Sequence, residues 1–213
     1  AQRTTQLGSK IIERLSLKQN FIWNSAGNFV YLATQWLLTY LTVRLAGYST
    51  AGVLSAAISI GGALSAISLF NMRSYQVSDV AGRYTNTTYL RARGITSLAS
   101  LLTCLAALPL FNYSLQASIA VILYMLFKIT ESISDAYQET AGKLKDGLYC
   151  KSFIMRGVAG LASFTCALFF SGDIVIALLA MLLSTTAIVV IYDRRMAGLF
   201  KSNAAAPPLF SRS

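Results

Sequence analysis

Six long apolar runs, separated alternately by basic and uncharged connections, constrain this chain more than any other feature. The runs read as Asn20–Leu45, Thr50–Asn71, Gly94–Tyr113, Gln116–Tyr137, Phe153–Ser171 and Asp173–Tyr192. Each has about the 20 residues that a helix needs to cross a hydrocarbon core roughly 30 Å thick. Lysine and arginine fall in four groups of four: Arg3, Lys10, Arg14 and Lys18; Arg73, Arg83, Arg91 and Arg93; Lys143, Lys145, Lys151 and Arg156; and Arg194, Arg195, Lys201 and Arg212. The connections Ala46–Ser49 and Asn112–Ser114 and the turn at Gly172 carry none. By the bias of basic residues across short loops, both termini and the basic loops are expected in the cytoplasm. The expected fold is an all-α integral membrane protein of six transmembrane helices. It divides into a cytoplasmic amphipathic segment (1–19), a six-helix lobe (20–192) and a basic tail or linker (193–213).

Composition agrees with this reading. Hydrophobic residues make up 55% of the 213 and charged residues 12%, which places the chain outside the range of soluble domains. The net charge of +10 does not point to nucleic acid, because the basic residues flank apolar spans rather than sharing a soluble face with aromatics. Cys104 and Cys166 fall within spans and Cys150 in a cytoplasmic loop, so neither a disulfide nor a metal-ligand spacing is expected. Ahead of the first span, Leu7, Ile11, Ile12 and Leu15 recur at helical spacing among Lys10, Glu13, Arg14 and Lys18. That pattern fits a helix lying in the headgroup layer, or a solvated leader.

Two polar stripes interrupt the apolar runs. Lys128, Glu131 and Asp135, spaced by three and four residues, share one face of the fourth span, and Tyr124 and Gln138 extend that face by a turn each way. Each charge facing lipid would cost about 2.5–3.5 kcal/mol at the span centre, so all three are expected to face protein or water. On the first span Asn24, Asn28, Tyr31, Gln35, Thr39 and Thr42 lie within an arc of about 80°. The stripes either line one wet cavity or hold the bundle together, through a Lys128–Glu131 ion pair and interhelical amide bonds. Arg44, on another face at the outer end, is a contact for an anionic headgroup or a snorkelling side chain. Small residues at Ala51, Ser55, Ser59, Gly62 and Ala66, and at Gly157 and Gly160, are expected at close helix contacts.

No catalytic site is legible. The chain has no histidine, which excludes His-based triads, HExxH zinc sites and haem ligation by histidine, and it has no Walker A sequence. We expect neither enzymatic activity nor a cofactor or metal.

Three stretches carry a resemblance. Trp23-Asn-Ser-Ala-Gly-Asn28 runs on to Gln35-Trp-Leu-Leu38 and Val43-Arg-Leu-Ala-Gly47, followed by Met72-Arg-Ser-Tyr-Gln-Val-Ser-Asp79 and Ile129-Thr-Glu-Ser-Ile-Ser-Asp135. Together they resemble the N-terminal half of the polysaccharide transporter family, the O-antigen flippase type of the multidrug/oligosaccharidyl-lipid/polysaccharide exporter superfamily. The resemblance covers roughly residues 10–196. It implies one lobe of a MATE-like two-lobe transporter in the bacterial cytoplasmic membrane. Such a protein moves a polyprenyl-pyrophosphate-linked oligosaccharide to the outer leaflet by alternating access, for capsule, O-antigen or related glycans. On that reading the two polar stripes line a substrate-binding or coupling site of Asn24, Asn28, Gln35, Tyr124, Lys128, Glu131 and Asp135, with Lys128 toward phosphate and the two acids toward sugar hydroxyls or a coupling cation or proton, and the long polar loop forms a cytoplasmic gate at Arg73, Tyr75, Gln76 and Asp79. Family members have two six-helix lobes. The second is therefore expected from a longer protein of which this is a piece, from a separate chain, or from a second copy. A cation-coupled drug exporter of the same superfamily, a membrane enzyme of glycan assembly and a non-transporting assembly subunit are the alternatives.

Overall fold

A computed structural model describes residues 17–72, 75, 86–142 and 148–193. The described residues are all-helical. Helix α1 (Leu17–Leu69) is followed by α2 (Asn86–Ala107), a 3-10 turn (Leu108–Phe111), α3 (Leu115–Gly142), α4 (Leu148–Ser171) and α5 (Ile174–Ile188), which ends in a π-helical turn (Val189–Asp193). Five helices are long and apolar enough to cross a membrane, the first of them over Ser25–Leu69.

That first segment contains a fold-back. Gly47 has φ 82° and ψ 177°, a backbone region essentially closed to residues with a Cβ. Tyr31 and Ser65, on either side of it, line the same pocket. In a straight helix, 34 residues would hold them about 50 Å apart. The chain therefore doubles back at Gly47 into two antiparallel arms, which is how the first two apolar runs appear in the structure. At the same end of the bundle, Asn112 (φ 49°) and Gly172 (φ 65°) take left-handed conformations in the next two uncharged turns. The Asp173 side chain caps α5 by accepting from Val175 N at 2.9 Å.

Helix α1 packs on α2, α3 and α4, and α5 packs on α3 and α4. The core separates into two halves. Near the tight turns it is apolar, built from Leu38, Leu54, Ala57, Val121, Met125, Phe164, Leu168, Ile174, Leu178 and Met181. Toward the other end the buried groups are polar: Ser68, Arg93, Ser97, Ser100, Ser132, Ser134, Ser152, Arg156 and Asp193. Hydroxyls tie the helices there. Ser68 and Ser97 pair at 2.9 Å, Ser100 donates to Leu64 O at 2.6 Å, and Thr96 donates to Ser68 O at 2.9 Å. Asp193 accepts from Ser152 at 2.7 Å and from Ser134.

Several boundaries and faces differ from the sequence expectation. Arg93, expected in a loop, lies inside α2, is 1% exposed, and donates to Leu69 O at 3.2 Å and Ser132 Oγ at 3.1 Å. Arg156, likewise counted with the loops, lies buried in α4, and Cys150 falls in the first turn of that helix rather than in a loop. On the second arm, Ser55, Ser59 and Ala66 are exposed and Gly62 is only half-buried, so of the expected stripe Ala51 alone is buried. The close approach is made by Gly61, where a Cβ would sit 2.7 Å from the Tyr124 ring. Gly157 and Gly160 do pack tightly, against Thr34 and against Met181 and Thr185. The expectations for 1–16 and for 194–213 lie outside the described residues.

The fold-back makes a matched pair of substitutions informative. Nothing among the described residues lies within 4 Å of the Cβ positions of Gly47 or Gly52. Gly47→Ala should therefore destabilise through the backbone alone, by about 1–3 kcal/mol. Gly52→Ala, in a regular helix, should be neutral or slightly stabilising. Thermal unfolding in detergent compares the two; equal melting temperatures would refute the Gly47 hinge.

Candidate functional site

The pocket in the polar half is lined by Tyr31 and Ser65 of the two α1 arms, by Lys128, Glu131 and Asp135 of α3, and by Phe153 and Arg156 of α4, among others. Its volume is about 190 Å³. The spacing of three and four residues on α3 turns all three charges to one side, and that side packs against α1.

The centre is a closed set of charged hydrogen bonds. Lys128 Nζ donates to Glu131 Oε2 at 2.8 Å and to the Tyr31 hydroxyl at 2.9 Å, while that hydroxyl donates to Glu131 at 2.6 Å to Oε1 and 2.8 Å to Oε2. The rings of Tyr31, Tyr124 and Phe127 surround the ammonium, with centroids 5.3–5.5 Å from Nζ. One turn toward the apolar half, Tyr124 OH donates to Gln35 Oε1 at 3.3 Å. Lys128 is thus neutralised by its own helix neighbour and bound to α1.

A second ion pair lies toward the basic end. Arg156 Nη2 is 3.6 Å from Asp135 Oδ1, and the guanidinium sits 4.8 Å over the Phe153 ring centroid. The edge of Phe153 in turn meets Tyr31, with ring centroids 5.2 Å apart, so the two pairs share one aromatic wall. The formal charges of Lys128, Glu131, Asp135 and Arg156 sum to zero.

Of the expected site residues, Lys128, Glu131 and Asp135 line the pocket. Gln35 and Tyr124 meet beside it. Asn28 is exposed and lies outside the pocket. Arg44 is exposed, with Nε donating to Tyr40 OH at 3.3 Å, and Tyr40 stacks on Trp36. Tyr75 is 66% exposed and lines a separate apolar groove with Phe70, Met72, Tyr89 and others. The expectations for the Asn24 side chain and for Arg73, Gln76 and Asp79 lie outside the described residues. Among the described residues no group of His, Cys, Asp and Glu could hold a metal, and Cys104 and Cys166 are free thiols.

Sequence reasoning missed Arg156, Phe153, Ser65 and Ser132. A signal for Arg156 exists: Ser152, Arg156 and Gly160 recur every four residues and are all buried. An arginine in register with small residues belongs to the packed face of a helix. The chain matches no protein-family model, no curated protein and no solved structure.

The ion pair at the centre predicts a non-additive pattern. Glu131→Gln or Lys128→Met alone leaves a buried charge without its partner and should destabilise by about 3 kcal/mol or more. The Lys128→Met/Glu131→Leu double variant should recover most of that loss. Unfolding of purified protein in detergent measures the cycle, and additive losses would exclude the coupling.

Proposed function

We propose that the chain crosses the membrane six times and forms one lobe of a MATE-like, two-lobe flippase. Its substrate is a polyprenyl-pyrophosphate-linked oligosaccharide, moved across the bacterial cytoplasmic membrane for cell-surface polysaccharide by alternating access. The observation that carries this reading is the pocket inside the helical bundle that holds one ion pair within α3, closed by Tyr31 of the distant first arm, and a second between α3 and α4. Ionisable groups held at such depth mark a substrate or ion path. The two arms around Gly47 supply the first two spans, and α2 to α5 the other four. The pocket lies near the end that carries the basic connections, the cytoplasmic end by the charge bias. The apolar half closes it from the outer side, the arrangement of a carrier that faces inward.

Tyr31, Gln35, Ser65 and Ser132 place hydroxyl and amide groups where sugar hydroxyls can meet them. Asn28, exposed on the first arm, gives a facing lobe a polar contact that lipid cannot make. The resemblance of the three sequence stretches to the polysaccharide transporter family supports the substrate class. Both carboxylates of the pocket already face cations, which argues against the drug-exporter reading, where an uncompensated acid would draw a cationic drug or coupling ion.

Deleting the gene should abolish surface polysaccharide and leave the lipid-linked precursor on the cytoplasmic face, with sensitivity to cationic dyes unchanged. Dye sensitivity with surface polysaccharide intact would transfer the protein to the exporter class. Topology has its own test. In a background without Cys104, Cys150 and Cys166, cysteines at Tyr48 and Ser114 should react with an impermeant thiol reagent in intact cells. A cysteine at Thr87 should react only after the membrane is opened, and labelling of it in intact cells would refute the six-span orientation.

A further inference from the structure

We propose that this pocket is a phosphate-oxyanion site whose ligating group is Arg156, with Asp135 holding the guanidinium in place until the anion displaces it. The assignment rests on the pocket being the substrate's, as read above, and moves the phosphate contact away from Lys128.

Lys128 is poorly suited to the task. Its charge is cancelled by Glu131 at 2.8 Å, and two of its three donors are taken, by Glu131 and by Tyr31. The other donors of the lining are engaged as well. Tyr31 donates to Glu131, Ser65 to Gly62 O at 2.6 Å, and Ser132 to Ser68 O at 3.4 Å. Arg156 differs. It is 4% exposed, yet its Nε and Nη2 have no hydrogen-bond partner among the described residues. These two nitrogens form one edge of the guanidinium fork, the edge that grips two oxygens of a carboxylate or phosphate at once. Its contact with Asp135, at 3.6 Å, attracts without closing a hydrogen bond. Buried donors left in that condition are costly, and an acceptor oxygen that satisfies both is strongly favoured. The pocket's 190 Å³ leaves room for a phosphate group together with ordered water.

The same geometry sets the sign of each neighbour. Glu131 and Asp135 both face the incoming anion. Glu131 is held by Lys128 and Tyr31, so its repulsion is largely cancelled. Asp135 competes directly for Arg156. Removing Asp135's charge should tighten anion binding, and removing Arg156's should abolish it, whereas a merely structural pair would lose stability in both cases with no response to anions.

The test is thermal unfolding of the purified chain in detergent, titrated with inorganic pyrophosphate and separately with a short prenyl phosphate, against sodium chloride at equal ionic strength. The unsubstituted chain should be stabilised by at least one of the two probes. Asp135→Asn should bind it about tenfold more tightly, Arg156→Gln should lose the response, and Arg156→Lys should weaken it about tenfold. Lys128→Gln/Glu131→Gln should retain it. If Arg156→Gln alone does not fold, Arg156→Gln/Asp135→Asn removes both charges and should be equally unresponsive. A response to pyrophosphate alone assigns a free phosphate group as sufficient, and a response confined to the prenyl phosphate assigns a lipid-borne one. No response to either probe, or an undiminished response in Arg156→Gln, overturns the proposal. Anion binding through Arg156 in a protein whose deletion spares surface polysaccharide would leave this site standing and remove the flippase reading. Undiminished flipping by Arg156→Gln would do the reverse.

Discussion

The bundle is organised around the need to meet three charges on one helix without water. Lys128, Glu131 and Asp135 occupy a single face of α3, and each turned to lipid would cost as much as several apolar residues contribute. Turning that face inward sets the rotation of α3. Its partners then follow: Tyr31 from the first arm of α1 closes the Lys128–Glu131 pair, and Arg156 from α4 stands against Asp135. Burial of such pairs is weak evidence for stability in itself, since the desolvation of both ions offsets most of their attraction. What sets register is the contacts that cross helices, Tyr31 with the Lys128–Glu131 pair and Arg156 with Asp135, because α3 rotated or slid by one turn would lose both.

The split of the core into an apolar half and a polar half follows from the same constraint. Near the tight turns, Leu54, Ala57, Val121, Phe164 and Leu178 form an apolar core, and the buried Thr42 hydroxyl is satisfied within its own helix by Leu38 O at 2.7 Å, so nothing there favours water. In the other half, serines on α1, α2 and α3 bond across helices at 2.6–3.4 Å, and Arg93 and Asp193 are buried among them. Helices in lipid gain little from burying apolar surface against one another and depend on close packing and such polar ties. The half that carries the ties also carries the pocket. On the proposed function, a substrate path would run through this more polar, more specifically bonded end.

Much of this was legible in the residues. The α3 stripe was readable because three ionisable side chains at helical spacing inside an apolar run admit only an inward face. The hinge at Gly47 was readable as a short uncharged connection. What failed has a common cause: basic residues near span ends were read as loop residues. Arg93 and Arg156 each stand in register with small residues, Ser97 and Ser100 in one case and Ser152 and Gly160 in the other, and so belong to packed faces. The small-residue stripe of the second arm failed differently. Periodicity gives the faces of a helix but not which of them meets a neighbour, and Gly61 rather than Gly62 faces Tyr124 because Leu54 and Ala57 define the buried side.

Finding Arg156 in the pocket also changes the electrostatic problem of carrying an anion. With Lys128, Glu131 and Asp135 alone, the lining would be net negative and would repel a pyrophosphate. With Arg156 it is neutral, and neutrality of this kind suits a carrier better than a strongly cationic cradle. A carrier must bind well enough to admit its ligand and weakly enough to release it. A fixed cluster of unpaired arginines would meet the first requirement at the expense of the second, and would be prohibitively costly to keep empty in a low-dielectric interior. A guanidinium loosely held by an internal carboxylate meets both. On the proposed function, Asp135 would compensate the charge while the pocket is empty, yield when a phosphate offers two oxygens in better geometry, and return as a competitor when the path opens on the far side.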